Sequence, residues 1–220
     1  MSFDRVAPHY RWLETITFGT ALQRARTFFV GEATTAKRVL IVGEGNGRFL
    51  LELMRDSEAA RIDCVDSSAV MLDLVRQQLA RHLPDAIGRV RFIRSTIQDW
   101  PLPDYRYDLI VTHFVLDCFP PQPLEAVVAK LAQAATPSAT WLLADFDYPA
   151  TPIRRLHARL WIAAMYLFFR TFAGIEARSL IDPSVLLQSH GFVCRRRKEF
   201  YRGMVKTEVW TRPESGGDNQ

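Results

Sequence analysis

The segment from residue 38 to about residue 145 alternates short apolar runs with stretches of helical periodicity. Its first apolar run, residues 39–42, has the unbroken hydrophobicity typical of a strand buried on both faces. Further strands are predicted over residues 62–65, 90–93, 107–111 and 141–144, with helices between them. This alternation predicts an α/β fold with a doubly wound, mainly parallel sheet. Such sheets bind ligands at the carboxyl ends of their strands, so we expect the functional residues there.

Two further segments flank this alternation. Residues 1–36 are predicted to form a helical N-terminal cap, and residues 150–190 a helical insertion, or lid, before the last strands. We expect a single domain over residues 1–212, because an apolar content of 48% suffices for one full core. Residues 213–220 are polar and are predicted to be disordered.

Charge and cysteine content exclude few partners. A net charge of +4 is too small to select nucleic acid, a membrane or another anionic partner by itself. The three cysteines, Cys64, Cys118 and Cys194, lie far apart and show no spacing typical of a zinc site or a disulfide framework. We therefore expect no metal site and a reducing, cytoplasmic location.

A glycine-rich loop directly follows the first predicted strand. Gly43, Gly45 and Gly47 stand between that strand and a predicted helix, where glycine permits a tight turn and close approach of a ligand to the backbone. The spacing differs from the dinucleotide fingerprint G-x-G-x-x-G, because Arg48 occupies the place of its third glycine. A nicotinamide cofactor is therefore disfavoured. Asn46, within the loop, is assigned to the same cofactor site.

An acidic residue ends the second predicted strand. Asp66 comes 19 residues after Gly47, the place from which a carboxylate can accept hydrogen bonds from both hydroxyls of a ribose. The alternative is that Asp66 caps the helix that follows. We favour ribose binding, because position and spacing both agree with the glycine loop, and we assign the neighbouring Ser67 and Met71 to the same site.

Together these motifs resemble the class I S-adenosylmethionine-dependent methyltransferases. Residues 38–145 follow the family's pattern, and a predicted antiparallel hairpin over 192–200 and 205–211, turned at Gly203, resembles its reversed final strand. The resemblance implies a seven-stranded Rossmann-like sheet, S-adenosylmethionine as cofactor and S-adenosylhomocysteine as product. Residues 3–10 resemble the opening of the ubiquinone/menaquinone-type enzymes, which implies that Tyr10 closes over the cofactor; the alternative is a core aromatic.

The chain departs from the family at two places. Ile41 stands where the family has an acidic residue, and we expect Glu44 to receive the methionine ammonium group instead, the alternative being a solvated loop charge. Thr96 stands where the family has an aspartate beside the adenine. Thr96 or Gln98 is expected to hydrogen-bond the adenine, with Ile97 packed on its face.

Candidate catalytic residues follow the fourth and fifth predicted strands. His113 lies in a loop that, in this family, passes between cofactor and substrate, so it is a candidate general base with a pKa near neutrality and a neighbour of the cofactor. Asp117 and Asp145 are candidates for orienting or deprotonating a substrate hydroxyl. The alternatives are that His113 holds loop backbone and that each carboxylate caps a helix or organises a loop.

The insertion combines a wide apolar face with arginines between residues 152 and 176. Three interpretations stay open: a lid over an apolar or aromatic substrate, a membrane-surface helix over 152–172 whose arginines face anionic headgroups, or a helix packed on the sheet or in a dimer. The predicted function is methyl transfer to oxygen or carbon of a small, aromatic or apolar molecule by a monomer or homodimer, without nucleic acid. The alternatives are a non-catalytic cofactor-binding protein and an RNA methyltransferase that uses the basic residues 195–198.

Overall fold

One sheet organises the computed structural model, which describes residues 20–57, 60–173 and 180–213. Its strands are β1 Arg38–Val42, β2 Arg61–Asp66, β3 Val90–Arg94, β4 Tyr107–His113, β5 Ala135–Phe146, β6 Val193–Phe200 and β7 Val205–Thr211. They lie in the order β3-β2-β1-β4-β5-β7-β6. Strand β7 runs antiparallel to both of its neighbours, and the other adjacent strands are parallel. The predicted mainly parallel, seven-stranded sheet with a reversed last strand is confirmed.

Helices cover both faces of this sheet, as its buried strands require. They are α1 Ala21–Thr27, α2 Arg48–Asp56, α3 Ala69–His82, α4 Pro121–Ala134, α5 Pro152–Ala173 and α6 Ser184–Ser189. On one face, Val39 and Ile41 of β1 belong to the same apolar cluster as Phe49 of α2. On the other face, Leu40 of β1 joins the cluster of Leu124 from α4. The alternation of side chains along one buried strand thus supplies both cores.

Strand β5 starts earlier than the sequence predicts. Its apolar residues begin at Trp141, but pairing with β4 already includes Ala135 opposite Tyr107, with a register shift before Thr140 meets Leu109. The intervening residues are small or polar, so hydrophobic periodicity could not reveal them. The apolar core of the strand nevertheless lies where the sequence predicts it.

The flanking segments are described in part. Helix α1 belongs to the predicted N-terminal cap and packs through Leu22 and Ala25, whereas residues 1–19, with Tyr10, lie outside the described residues. The same is true of residues 174–179 in the predicted insertion and of 214–220 in the predicted tail. None of the helices in the described ranges is long and apolar enough to cross a bilayer.

Candidate cofactor and active site

A cavity of about 380 Å³ opens where β1, β2, β3 and β4 end. This volume lies within the range of small-molecule sites, about 300–1,000 Å³. Eight of the predicted cofactor residues line it: Gly43, Gly45, Asp66, Ser67, Met71, Thr96, Ile97 and Gln98. Its wall also includes Ser95, Asp99, Phe114, Val115, Cys118 and Phe119, which the sequence did not select. Four of these, Phe114, Val115, Cys118 and Phe119, follow the end of β4. The expectation that ligands bind at strand ends could therefore have identified them.

The glycine loop reaches this cavity in a backbone conformation that favours glycine. Gly43, Gly45 and Gly47 have φ angles of +66°, +70° and +82°. A Cβ on Gly43 would lie 2.3 Å from Val115 Cγ2, and one on Gly47 would lie 3.3 Å from the Val75 Cα atom. A Cβ on Gly45 would meet nothing within 4 Å. Gly43 and Gly47 therefore permit close packing of the protein on itself, while Gly45 leaves open space for a ligand against the backbone.

Gly43→Ala is expected to lower the free energy of unfolding by about 2–4 kcal/mol. Of this, about 1–2 kcal/mol comes from the left-handed backbone, and the rest, on the order of 1–2 kcal/mol, from overpacking against Val115. Gly45→Ala is the matched control, because it has the same backbone strain without the clash. Urea unfolding of the cofactor-free chain measures both. Val115→Ala should recover part of the loss in Gly43→Ala but none in Gly45→Ala, and equal losses in the two single variants would contradict this account.

Asp66 both lines the cavity and organises the start of α3. Its Oδ1 accepts a hydrogen bond from the Ser68 amide at 2.8 Å, and Ser68 Oγ accepts one from the Met71 amide at 3.2 Å. The N-cap of α3 is therefore Ser68 and not Asp66, as the alternative had it; Asp66 instead holds the turn before the helix, and its contact with ribose stays a prediction. The local hydrogen bond fixes the carboxylate at the edge of the cavity.

The loop after β3 lines the opposite part of the cavity. Thr96 Oγ1 donates a hydrogen bond to Asp99 Oδ2 at 2.6 Å and accepts one from the Asp99 amide at 3.2 Å. The Thr96 hydroxyl is thus engaged within the turn, and Asp99 supplies a carboxylate to the cavity lining. The signal for it was present in the sequence, because threonine and aspartate three residues apart commonly close such a turn.

Three residues of the glycine loop, Glu44, Asn46 and Gly47, do not line the cavity. Glu44 is buried, and its Oε1 accepts a hydrogen bond from the Leu50 amide of α2 at 3.0 Å. Burial raises the pKa of Glu44 to about 7, against the opposing effects of the Leu50 hydrogen bond and the Arg26 charge. Asn46 Oδ1 accepts a hydrogen bond from the Arg48 amide at 3.3 Å. Contacts of Glu44, Asn46 and Gly47 with the cofactor stay predictions. The structure also shows Glu44 accepting a hydrogen bond from a backbone amide in the first turn of α2, a role that the sequence did not suggest.

His113 is buried on the face of the sheet that carries α2. Its ring packs edge-on against Phe49, with 4.8 Å between ring centroids. Burial, assisted by the Arg26 charge, lowers the pKa of His113 to about 3. The near-neutral pKa expected from the sequence is therefore wrong, because the sequence does not show that Phe49 and Arg26 lie beside this ring. His113 is a neutral imidazole outside the cavity lining, and its role as a base stays only a prediction.

Asp117 and Asp145 form a buried acidic pair, as the proximity of their strand ends predicts. Burial raises the pKa of Asp117 to about 6, and burial together with the Asp117 charge raises the pKa of Asp145 well above its usual range. Asp145 Oδ1 accepts a hydrogen bond from the Phe146 amide at 3.0 Å, while its Oδ2 has no partner in the described part of the chain. Two carboxyl groups that interact in a dry environment disfavour a second negative charge, which is the physical cause of both raised pKa values.

Cys118 connects this acidic pair to the cavity. Its side chain lines the cavity, and its Sγ donates a hydrogen bond to Asp117 Oδ1 at 3.5 Å. Burial also raises the pKa of the Cys118 thiol well above its usual value, so the sulfur is protonated at neutral pH. The pair therefore lies directly behind the part of the wall that Cys118 and Phe119 form.

A second charged cluster lies on β7, with Glu208 at its centre. Lys206 Nζ contacts Asp182 Oδ1 at 2.8 Å and Glu208 Oε1 at 3.5 Å. Arg197 lies between two carboxylates. Its Nη1 is 3.1 Å from Glu208 Oε1, and its Nη2 is 2.5 Å from Asp147 Oδ2. Lys206 and Glu208 are both almost fully buried, and each has the opposite charge that burial requires. This Glu208 cluster ties the end of β5 and the segment before α6 to the reversed strand.

Comparison with known proteins agrees with this architecture. A model of the methyltransferase domain matches residues 39–138. The tRNA N(3)-cytidine methyltransferase METTL2 of Gallus gallus is 24% identical over 116 residues, which are 52% of this chain and 31% of that protein. The carboxy-S-adenosyl-L-methionine synthase of Dichelobacter nodosus is 28% identical over 158 residues, which are 67% of this chain and 63% of that protein. The chain therefore spans less than two thirds of either relative.

Solved structures share the whole fold at low sequence identity. The 1,6-didemethyltoxoflavin-N1-methyltransferase of Burkholderia thailandensis has a TM-score of 0.64 at 16% identity, over 96% of this chain and 86% of that one. The mitomycin 7-O-methyltransferase MmcR has a TM-score of 0.68 at 16% identity, over 97% of this chain and 61% of that one. Residues 39–138 are thus a methyltransferase domain, and the chain shares the fold of the class I S-adenosylmethionine-dependent methyltransferases.

Proposed function

We propose that this protein transfers the methyl group of S-adenosylmethionine to the oxygen or carbon of a small, aromatic or otherwise apolar molecule. One observation carries the proposal: one cavity is lined by the glycine loop and Asp66 and, on its remaining side, by Phe114, Phe119 and Cys118, whose thiol is hydrogen-bonded to Asp117. A cytoplasmic location and a monomeric or homodimeric state stay predictions from the sequence.

The lining offers a suitable group for each part of the cofactor. The open backbone at Gly45 suits the methionine end, since no side chain of the described residues fills that space. Asp66 suits the ribose hydroxyls, and Ile97 and Gln98 suit the adenine. When bound, the cofactor supplies an electrophilic methyl carbon on a sulfonium, so the protein has only to position the acceptor and exclude water.

The acceptor side combines apolar walls with a proton acceptor. Phe114 and Phe119 line the cavity and suit a flat or apolar molecule. Asp117 does not itself line the cavity, but it accepts the hydrogen bond of Cys118, which does. Cys118 passes its thiol proton to Asp117 as it takes up the proton of an acceptor hydroxyl or activated carbon, so Asp117 is the final proton acceptor. His113, the last residue of β4, packs on Phe49 outside the cavity lining, so Asp117 is the better placed of the predicted bases.

RNA methylation is the second candidate, because the curated relatives include tRNA methyltransferases. The basic residues 195–198 are exposed on the edge strand β6, as an RNA-binding patch requires. Two of them already have acidic partners: Arg196 pairs with Glu32, and Arg197 pairs with Glu208, Asp147 and Glu199. These neutralised arginines favour the small-molecule function over the RNA function.

Transfer of a tritium-labelled methyl group distinguishes the candidates. The full chain is incubated with labelled S-adenosylmethionine and, in separate reactions, with a panel of small phenols and enols or with bulk tRNA. We expect label in a small, solvent-extractable product and none in tRNA. Label in tRNA alone would support the RNA function. Tight cofactor binding without transfer to any acceptor would support a non-catalytic protein.

A further inference from the structure

The first three turns of α5 expose a row of large apolar side chains. Ile153, Leu156 and Leu160 are 87%, 63% and 67% exposed, whereas Ala158 and Ile162 are 0% and 1% exposed. At about 100° per residue, the exposed row lies on the side of the helix opposite to the two packed residues. The helix is therefore held to the protein by one face and presents a second apolar face to the outside. We call Ile153, Leu156 and Leu160 the outer row.

Arginines lie along both sides of the outer row. Arg154, Arg155 and Arg159 are exposed, and at helical spacing they fall between the outer row and the packed face. The sequence contains no acidic residue from 148 to 175. Trp161, 40% exposed, lies on the same flank as Arg154. An apolar ridge with arginines and a tryptophan at its sides is the pattern of a helix that lies in a membrane interface.

Other occupants of this face fit the observations less well. A lid would direct its apolar residues toward the cavity, but the outer row points away from the side on which α5 packs. A symmetric dimer would bring the same arginines of two copies together without acidic partners from this stretch. RNA would engage the arginines, but aliphatic side chains such as Ile153 and Leu160 gain little from it, since RNA contacts use stacking and phosphate charge.

We propose that the outer row and its flanking arginines dock α5 onto the surface of an anionic lipid bilayer. The apolar side chains enter the boundary between headgroups and acyl chains, and the arginines remain at the level of the phosphates. Ala158 and Ile162 belong to an apolar cluster against which Phe114 and Cys118 pack, and both of these residues line the cavity. Docking therefore brings the acceptor side of the cavity close to the bilayer. This inference does not depend on the proposed reaction.

Vesicle sedimentation of the full chain tests the proposal. The probes are vesicles of phosphatidylcholine alone and of phosphatidylcholine mixed with phosphatidylglycerol. We expect binding to the anionic vesicles that weakens as salt is added, and at least about tenfold weaker binding to the neutral ones. The Arg155→Gln/Arg159→Gln variant should bind anionic vesicles about tenfold or more weakly, since each arginine near such a surface contributes about fivefold. Leu156→Gln/Leu160→Gln should weaken binding by a similar factor, on the order of tenfold.

Matched variants on other helices separate docking from general effects of charge and hydrophobicity. Arg76→Gln/Arg81→Gln on α3 and Val185→Gln on α6 remove exposed groups of the same kinds, and both should bind vesicles like the wild type. All the substituted residues are exposed, and equal thermal unfolding verifies that each variant folds. Equal affinity for neutral and anionic vesicles, or α5 variants that bind like the wild type, would overturn the proposal. Loss of a dimer or of tRNA binding in these variants, without an effect on vesicle binding, would assign the face to that partner instead.

Discussion

Asp66→Asn is expected to weaken S-adenosylmethionine binding by about 100-fold. A hydrogen bond to a charged group contributes about 1.5–3 kcal/mol, and about 1.4 kcal/mol corresponds to a tenfold change in Kd. The amide that replaces the carboxylate has no charge and one acceptor oxygen fewer for the ribose hydroxyls. Its remaining oxygen can still accept the hydrogen bond from the Ser68 amide, so the turn before α3 is preserved. Calorimetric titration with S-adenosylmethionine and S-adenosylhomocysteine measures the effect.

Two further variants show whether the loss of cofactor affinity is specific to the Asp66 carboxylate. Asp73→Asn removes an exposed carboxylate from α3, away from the cavity lining, and should leave the affinity unchanged. Both cofactor forms should lose affinity equally, because they share the ribose. Asp66→Ala should lose stability in addition, because it also removes the acceptor for the Ser68 amide. Unchanged affinity in Asp66→Asn would leave Asp66 as a helix-start residue alone.

Asp117→Asn is expected to lower the turnover of an acceptor hydroxyl by about 100-fold or more, the usual contribution of a general base. In the wild type, burial raises the pKa of Asp117 to about 6, so activity should increase as the pH rises through 6 and reach a plateau above it. Asparagine keeps the shape of the side chain but cannot take up a proton. The variant should therefore lose both the rate and this rise with pH. Initial rates across the pH range measure both effects.

Two further measurements distinguish a base from a residue that only supports the fold. The affinity of Asp117→Asn for S-adenosylmethionine should equal that of the wild type, because Asp117 does not line the cavity itself. Glu125→Gln, which removes an exposed carboxylate from α4, should change neither the rate nor its pH profile. A variant with reduced stability but an unaltered pH profile would show that Asp117 is structural.

The sequence predicted the elements that depend on local patterns and strand order. The buried run in β1, the glycine loop and Asp66 define one edge of the sheet, and the residues assigned to that edge line one cavity. Asp117 and Asp145 are 28 residues apart, yet the rule that parallel strands end at one edge brought them together. The apolar runs and the glycine spacing behind these predictions are local features, so they can be identified in a single sequence.

The features that sequence analysis missed depend on packing between distant segments. The pKa of His113 depends on Phe49, which is 64 residues away in sequence, and on Arg26, which comes from α1. Glu44 turns its carboxylate into the start of α2, and no local signal distinguishes this conformation from one that faces a ligand. Burial decides both outcomes, and burial of a polar side chain is not encoded in its immediate neighbours.

The Glu208 cluster fixes both ends of the segment between β5 and α6 to β7. Asp147 precedes that segment and Asp182 follows it, and both are held at the same glutamate through Arg197 and Lys206. The two ends are therefore fixed to β7 independently of what lies between them. Replacements at the exposed positions of this segment, such as the outer row, can alter the attachment surface without disturbing the sheet. The surface to which the protein attaches can thus evolve while the cofactor site stays the same.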